Sequence, residues 1–281
     1  MSAPALAIDL GGTKILAALV AGGCVIERAT AATDRDGGPQ RWLQQMGELV
    51  RNWSGRWQRA GITVTGLVQD GRWSALNRAT LDLPRDFPLA ERAAALLGRP
   101  VTLANDAQAA AWGEFRHGAG QGCTDMVFLT VSTGIGGGVV AGGRLLRGRA
   151  GLAGHVGLLA PLPDGDGPIL EDSASGRFIA RRAGQPDARA AFAALPEARA
   201  EAAVAASARR VARLCRNLHL ILAPDRIVIG GGVGLAPGYL PRVTAELAVV
   251  DPRLRPTLTA AALGPDAGVV GIAALTFEPP D

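Results

Sequence analysis

Four short stretches of this chain combine residue types that could do chemistry. In the first, Leu103-Ala104-Asn105-Asp106, an apolar run ends in an amide and a carboxylate, and a helix is expected at once over 107–117. An aspartate at such a junction has two readings: its carboxylate caps the helix by accepting first-turn N–H groups, or it serves as a base. The second stretch, Asp9-Leu10-Gly11-Gly12-Thr13-Lys14, sets a carboxylate at a strand end before residues whose backbone can approach a phosphate with no Cβ in the way. Exposed N–H groups there could bind phosphate oxygens, and Asp9 could orient Mg²⁺ or its waters. An ordinary Gly-Gly hairpin turn would read the same, and no Walker loop occurs, since Gly-x-x-x-x-Gly-Lys-Ser/Thr is absent. Lys14 is the chain's single lysine, which gives its place inside a glycine motif more weight. The third stretch, Ser132-Thr133-Gly134-Ile135-Gly136-Gly137-Gly138, is conformationally costly unless the backbone must come close to something. The fourth, Gly230-Gly231-Gly232 with Gly234, follows an apolar run and suits a nucleoside face. A carboxylate set among such turns is what phosphoryl transfer needs around its base.

The elements that must position these residues follow from periodicity. Ala5–Leu10 reads as a strand that turns at the glycines and resumes over 15–20, and Gly22-Gly23 turns it again into a strand over 25–30. Residues 40–60 carry Trp42, Leu43, Met46, Leu49, Val50 and Trp53 at helical spacing, so one helix is expected there. A strand over 62–67, a turn at Asp70-Gly71, a short return over 73–76, a helix over 91–97 closed by Gly98 and a strand over 101–103 complete the first part. Met126–Val131 then enters the glycine-rich 132–138 turn, and residues 139–141 leave it. That repeats the layout of the beginning and suggests a duplicated architecture in which each half offers a loop to one ligand. Residues 148–168 read as loop. Helices are expected over 175–183, 197–222, 240–249 and 267–277, with strands over 227–229 and 257–263.

Composition excludes several classes. With 281 residues and 48% hydrophobic content the chain can bury a large core, roughly as two domains, and with 4% aromatics that core must be Ala, Val, Leu and Ile. The net charge of +4 comes from arginines spread along the chain with no long basic run, which argues against a nucleic-acid surface. Cys24, Cys123 and Cys215 are odd in number and far apart, which argues for a reducing compartment and against a disulfide framework; they are expected as small buried hydrophobes. Residues 1–6 lack the pattern of a secretory leader and no apolar stretch reaches membrane length, so a cytoplasmic protein without a membrane partner is expected.

The motifs at 9–14, 105–110, 132–138 and 230–232 together resemble the ROK family of bacterial sugar kinases and repressors, over nearly the whole chain. Within that family, the runs at 105–112, 124–128 and 151–155 are most similar to the bacterial N-acetylmannosamine kinases. The resemblance implies an α/β, actin-like (ribonuclease H-like) fold of two lobes with a central cleft. The N-terminal lobe would span 1–105, with the C-terminal helix 267–278 packing back on it, and the C-terminal lobe 106–266. It implies ATP-dependent phosphorylation of N-acetyl-D-mannosamine at the 6-hydroxyl, giving the 6-phosphate, in sialic acid or amino-sugar catabolism. Asp106 would be the general base and Asn105 would hold a neighbouring hydroxyl. Asp9 with Mg²⁺ would offset phosphate charge, Gly11, Gly12, Thr13, Lys14, Thr133 and Gly134 would line the ATP phosphates, and Gly231 and Gly232 would contact the nucleoside. His155 and Glu171 would meet the sugar, and Asn77 and Thr80 the sugar or its acetamido group. His155 is the informative position, because glucose-type members usually carry Glu there.

The alternatives are a glucokinase or other hexose kinase, a sugar-responsive repressor, and a catalytically dead sugar-binding protein. A repressor would need a helix-turn-helix domain, and the phosphate motif begins eight residues after Met1. A dead homologue is disfavoured by the presence of Asp9, Asp106 and every loop. The family is often dimeric, so a homodimer is expected. The clearest departure concerns zinc: where members place the last His of the motif this chain has Leu158, and 161–170 contains no Cys, so no structural zinc is expected. Packing of Leu158, Leu159, Leu162 and Ile169, with proline stiffness, is expected to hold that loop instead.

Overall fold

The computed structural model describes residues 4–76, 81–160 and 167–279. Asn77, Thr80 and Leu162 therefore lie outside the described residues. In chain order the elements are β1 (Ala5–Leu10), β2 (Lys14–Ala21), β3 (Cys24–Ala32), α1 (Gly38–Val50), β4 (Arg59–Val64), β5 (Leu67–Gln69), β6 (Arg72–Ser74), α2 (Leu89–Leu97), β7 (Val101–Asn105) and α3 (Asp106–His117). Then come β8 (Met126–Val131), β9 (Ile135–Ala141), β10 (Arg144–Leu146), α4 (Glu171–Ala174), α5 (Gly176–Ala183), α6 (Ala188–Ala193), α7 (Ala198–Leu222), β11 (Arg226–Gly230), α8 (Gly231–Gly234), α9 (Tyr239–Glu246), β12 (Leu258–Ala260) and α10 (Ala267–Leu275).

Two compact units form: Met1–His117 with Arg147–Ala153 and Pro265–Asp281, and Gly118–Leu146 with Gly154–Gly264. Each carries a five-stranded mixed sheet, ordered β3-β2-β1-β4-β7 in the first and β10-β9-β8-β11-β12 in the second. In both, the first three strands in sequence are antiparallel and two further strands join parallel to the first, so the duplication read from the glycine turns extends to the whole strand order.

In the first unit the period of two along β1 separates two packing surfaces. Leu6, Ile8 and Leu10 join a core with Trp42, Met46, Ile62, Val64 and Trp73. The opposite face carries Ala5 and Ala7, small enough for α10 to pack closely on β1 and β4. At Gly61 even a methyl group would come within 2.6 Å of the Ile272 side chain. Helix α3 lies in this unit against α10, so the division falls after His117 and not after Asn105 as expected. The helix expected over 40–60 also ends early. It stops at Val50, passes through a short 3₁₀ turn over Arg51–Trp53, and gives way at Gly55, whose φ is +76°, before β4 starts at Arg59. Pairing with β1 from Ala5↔Arg59 onward overrides the helical spacing.

The second unit's core joins Val127, Leu129 and Val131 of β8 to Phe178 and Ile179 of α5 and to the buried stripe of α7. Short elements went unread: α4, α6 and β10 have too few residues to show a period. Three cysteines are free, but only Cys215 is a buried hydrophobe; Cys24 is exposed and Cys123 half-buried, against expectation. Among the described residues no helix is long and apolar enough to cross a membrane.

Candidate active site

In the first unit the parallel strands β1, β4 and β7 end level, with Leu10, Val64 and Asn105 in register. The carboxyl edge of parallel strands is where α/β sheets place their ligands. Asp9 sits one residue before that edge and Asp106 one residue after it. Between them on β4, Thr63 donates its hydroxyl to Asp9 Oδ1 at 2.9 Å. Residues 11–13 form the hairpin turn from β1 to β2, closed by Gly11 N–H to Lys14 O at 3.1 Å, with Thr13 and Lys14 exposed beside the half-buried glycines.

The helix cap is not Asp106 but Asn105. Its Oδ1 accepts from the N–H groups of Ala107 at 2.9 Å and Gln108 at 3.1 Å, and its Nδ2 donates to Gly66 O at 3.0 Å. These partners fix the amide's orientation and commit three of its hydrogen-bonding positions, so Asn105 is chiefly a buried brace at the β7–α3 junction. Asp106 Oδ1 still accepts from Ala107 N–H at 2.8 Å, but its second oxygen has no capping duty to perform. Asn105→Ala is expected to cost about 1–2 kcal/mol in urea unfolding, from the lost cap and the lost bond to Gly66 O, whereas Asn105→Asp keeps the cap and loses less.

Solvent reaches the Asp106 side chain, yet the surrounding protein strips the carboxylate of most bulk-water hydration, as in a recess. That desolvation, with the negative charge of Asp9 second, pushes its pKa up to about 7 against the hydrogen bonds from Ala107 and Asn105. Burial also raises Asp9, opposed by the Thr63 hydroxyl and by Lys14.

In the second unit the 132–134 turn joins β8 to β9 and closes through Ser132 N–H to Gly134 O at 2.9 Å. Thr133 is exposed at its tip. The glycine-rich loop is shorter than expected, because strand pairing resumes at Ile135 and Gly136, Gly137 and Gly138 lie inside β9. There they serve a close approach: a Cβ on Gly137 would meet Phe128 O at 2.8 Å and Gly154 O at 3.0 Å. The backbone of 154–157 thus runs along β9, which sets the half-buried His155 beside it. Glu171, at the start of α4, accepts Ile135 N–H at 2.8 Å on Oε2 and pairs with Arg177 through Oε1. His155 and Glu171 are therefore both organised around the first residues of β9. Gly231, expected in a loop, instead begins the short helix α8 with φ +83°, packed on the end of β8 where any Cβ would overlap Val131 O. Gly232 is exposed beside it.

The segment lacking zinc ligands is not held as expected. Leu158 and Leu159 are 43% and 48% exposed, and Ile169 is only partly covered. Val156 and Leu170 are the buried anchors, with Leu170 N–H to Leu159 O at 2.8 Å joining the two sides.

Three residues escaped the sequence reading. Thr63 interrupts an apolar strand, and Gln108 is the one polar position in an alanine-rich turn; either oddity could have been noticed. Gln108 is buried and donates from Nε2 to Gly151 O at 3.1 Å and Ala153 O at 2.9 Å, fastening the 147–153 segment to α3 within the first unit. Arg177 gave no signal among so many arginines.

The sequence matches the ROK family over residues 5–278. It is 46% identical over 280 residues to the bifunctional enzyme NanE/NanK of Brucella melitensis, covering 98% of this chain and 54% of that enzyme, so the chain spans about half of that relative's length. It is 41% identical over 285 residues to the N-acetylmannosamine kinase of Escherichia coli, covering 96% of this chain and 97% of that one. The crystal structure of the ROK hexokinase from Thermus thermophilus superposes with a TM-score of 0.82 at 34% identity, covering 97% of both chains.

Proposed function

This chain belongs to the ROK family, and on that premise we propose that it is an ATP-dependent sugar kinase that phosphorylates N-acetyl-D-mannosamine at the 6-hydroxyl. Asp106 carries the reading: with Asn105 taking the main cap, a carboxylate that caps only through the Ala107 N–H on one oxygen and is raised to about 7 is a base matched to neutral pH. It accepts the hydroxyl proton as the sugar oxygen forms its bond to the γ-phosphorus and the bond from that phosphorus to the β–γ bridging oxygen breaks, releasing ADP. Gly12, Thr13, Thr133 and Gly134 offer backbone N–H groups and Lys14 its ammonium to the phosphates, and Gly11, whose own N–H closes its hairpin on Lys14 O, leaves room for them to approach; Gly231 and Gly232 meet the nucleoside. Positioning and charge neutralisation supply most of the rate, since phosphoryl transfer leaves little covalent work to the protein.

Magnesium fits the donor set. Asp9 is a hard oxygen donor held out of bulk water, and no cluster of three or more His, Cys, Asp or Glu occurs among the described residues, so phosphate oxygens and water would complete its shell. Bound there with ATP, the ion supplies positive charge against the phosphates.

The choice of sugar is supported by the names of the relatives at 41–46% identity and by His155, at the position where the family resemblance implies Glu for most glucose-type members. The sugar contacts are His155 and Glu171, with Asn105 bracing the base, and the setting is the cytoplasm, with a homodimer as the assembly. A panel of N-acetylmannosamine, N-acetylglucosamine, glucose and mannose with coupled ADP detection tests this. N-acetylmannosamine is expected to give a kcat/KM at least about tenfold above the others, roughly 1.4 kcal/mol of discrimination. A preference for glucose would reassign the chain to the hexokinase branch.

A further inference from the structure

The Glu171 carboxylate is shared between two parts of the second unit. Oε2 accepts the N–H of Ile135, the residue that follows the 132–134 turn, and it lies so close to Gly134 that a Cβ there would overlap it. Oε1 is held by the guanidinium of Arg177, six residues further along at the start of α5. That helix start grips the same turn through its backbone: Gly176 N–H donates to Ser132 O at 2.7 Å and Arg177 N–H to Thr133 O at 3.3 Å. Ser175 caps α5, its Oγ accepting from Phe178 N–H at 3.4 Å.

Below, α4 rests on buried polar supports from α7. Arg210 donates to Ser173 O at 2.5 Å, and Ser207 donates to Ala174 O at 2.6 Å while also bonded to the Tyr239 hydroxyl. The backbone carrying Glu171 is thus anchored. The carboxylate end, 23% exposed, is left to Arg177 and Ile135 N–H to orient.

We propose that Arg177 is a positioning residue that holds Glu171 so that one carboxylate serves both the sugar and the 132–134 turn, making sugar and nucleotide bind cooperatively. This rests on the reading that Glu171 meets the sugar and that the turn meets the phosphates. The physical reason is a continuous linkage: Glu171 is bonded to Arg177 and to Ile135 N–H, and the start of α5 that carries Arg177 is bonded to Ser132 O and Thr133 O, so a sugar that holds the carboxylate also holds the turn that meets the nucleotide. Arg177 is half-exposed, so its pairing with Glu171 contributes little to stability and chiefly fixes the orientation of the carboxylate.

Calorimetric titration with a non-hydrolysable ATP analogue and Mg²⁺, with and without saturating N-acetylmannosamine, tests this. In the unaltered chain the sugar is expected to tighten nucleotide binding at least about 5-fold. In Arg177→Ala the gain falls below about 2-fold, while nucleotide affinity without sugar is nearly unchanged. Arg177→Lys, which keeps the charge but not the planar fork, is expected to restore part of the gain. Arg182→Ala, an exposed change on the same helix, keeps the full gain. Turnover of the sugar without coupling in the unaltered chain, full coupling in Arg177→Ala, or equal loss in Arg182→Ala would each overturn the inference and leave the kinase reading intact. If another sugar of the panel proves to be the substrate, the titration is made with that sugar, so the two readings fail separately.

Discussion

Asp106→Asn is expected to fold normally and to lose turnover by about 10²–10⁴-fold, because the amide keeps the shape of the side chain but cannot accept the hydroxyl proton. In the unaltered protein kcat/KM for the sugar should rise with pH and level off above an apparent midpoint near 7, the value at which Asp106 sheds its proton. The sign of the stability effect runs the other way. A carboxyl whose pKa is raised on folding stabilises the native state while it is protonated, and that contribution is lost as pH climbs from about 4 through about 7. Asp106→Asn should therefore melt a few degrees higher than the unaltered protein at pH 8, with the gap closing near pH 4. Thermal unfolding across that range and a pH–rate profile measure both. A variant with near-normal turnover, or a profile flat between pH 5 and 8, would remove Asp106 as the base.

Gly271→Ala is expected to lower stability by about 3 kcal/mol or more, a large effect for one methyl group. Helices α3 and α10 meet backbone to backbone: a Cβ on Gly271 would overlap Ala109 O and come within 2.8 Å of Gly113 N, and a Cβ on Gly113 would come within 3.0 Å of Gly271 N. No rotamer relieves a clash with main chain, so the helices must part, and α10 is covered by β1 and β4 on its other side. The control lies in the same helix. Gly268 has nothing within 4 Å of its would-be Cβ, so Gly268→Ala should be neutral or stabilising by about 0.5–1 kcal/mol through its better helix propensity. Because α3 begins at Asp106, Gly271→Ala should also depress turnover well below its unfolding temperature. Equal melting of the two variants would show that the helix contact can yield.

How much could be read from the chain differs by feature. The strands Ala5–Leu10 and Met126–Val131, the glycine turns after them and the long helix ending at Leu222 are legible, since long apolar periods and Gly, Pro or cap residues are local signals. The junction at Asn105-Asp106 is legible as chemistry but not in its division of labour, because either residue can cap a helix. The helical spacing over 40–60 misleads past Val50, since strand pairing with β1 is a non-local contact that no period reports. Leu158 and Leu159 mislead for a related reason: apolar type says nothing about which neighbour is present to cover it.

By itself the sequence determined which residues could do the chemistry and roughly where each strand and helix would lie, because residue type and spacing act over a few positions. Tertiary structure alone decided that Asn105 takes the cap and Asp9 lies near enough to raise Asp106. It also decided that Gly137 and Gly271 are glycines for the sake of backbones 17 and 162 positions away, at Gly154 and Ala109. It joined Glu171 to Ile135 and Arg177 in one carboxylate clasp. Charge coupling, desolvation and close backbone approach depend on distances through space, which the order of residues along the chain does not contain.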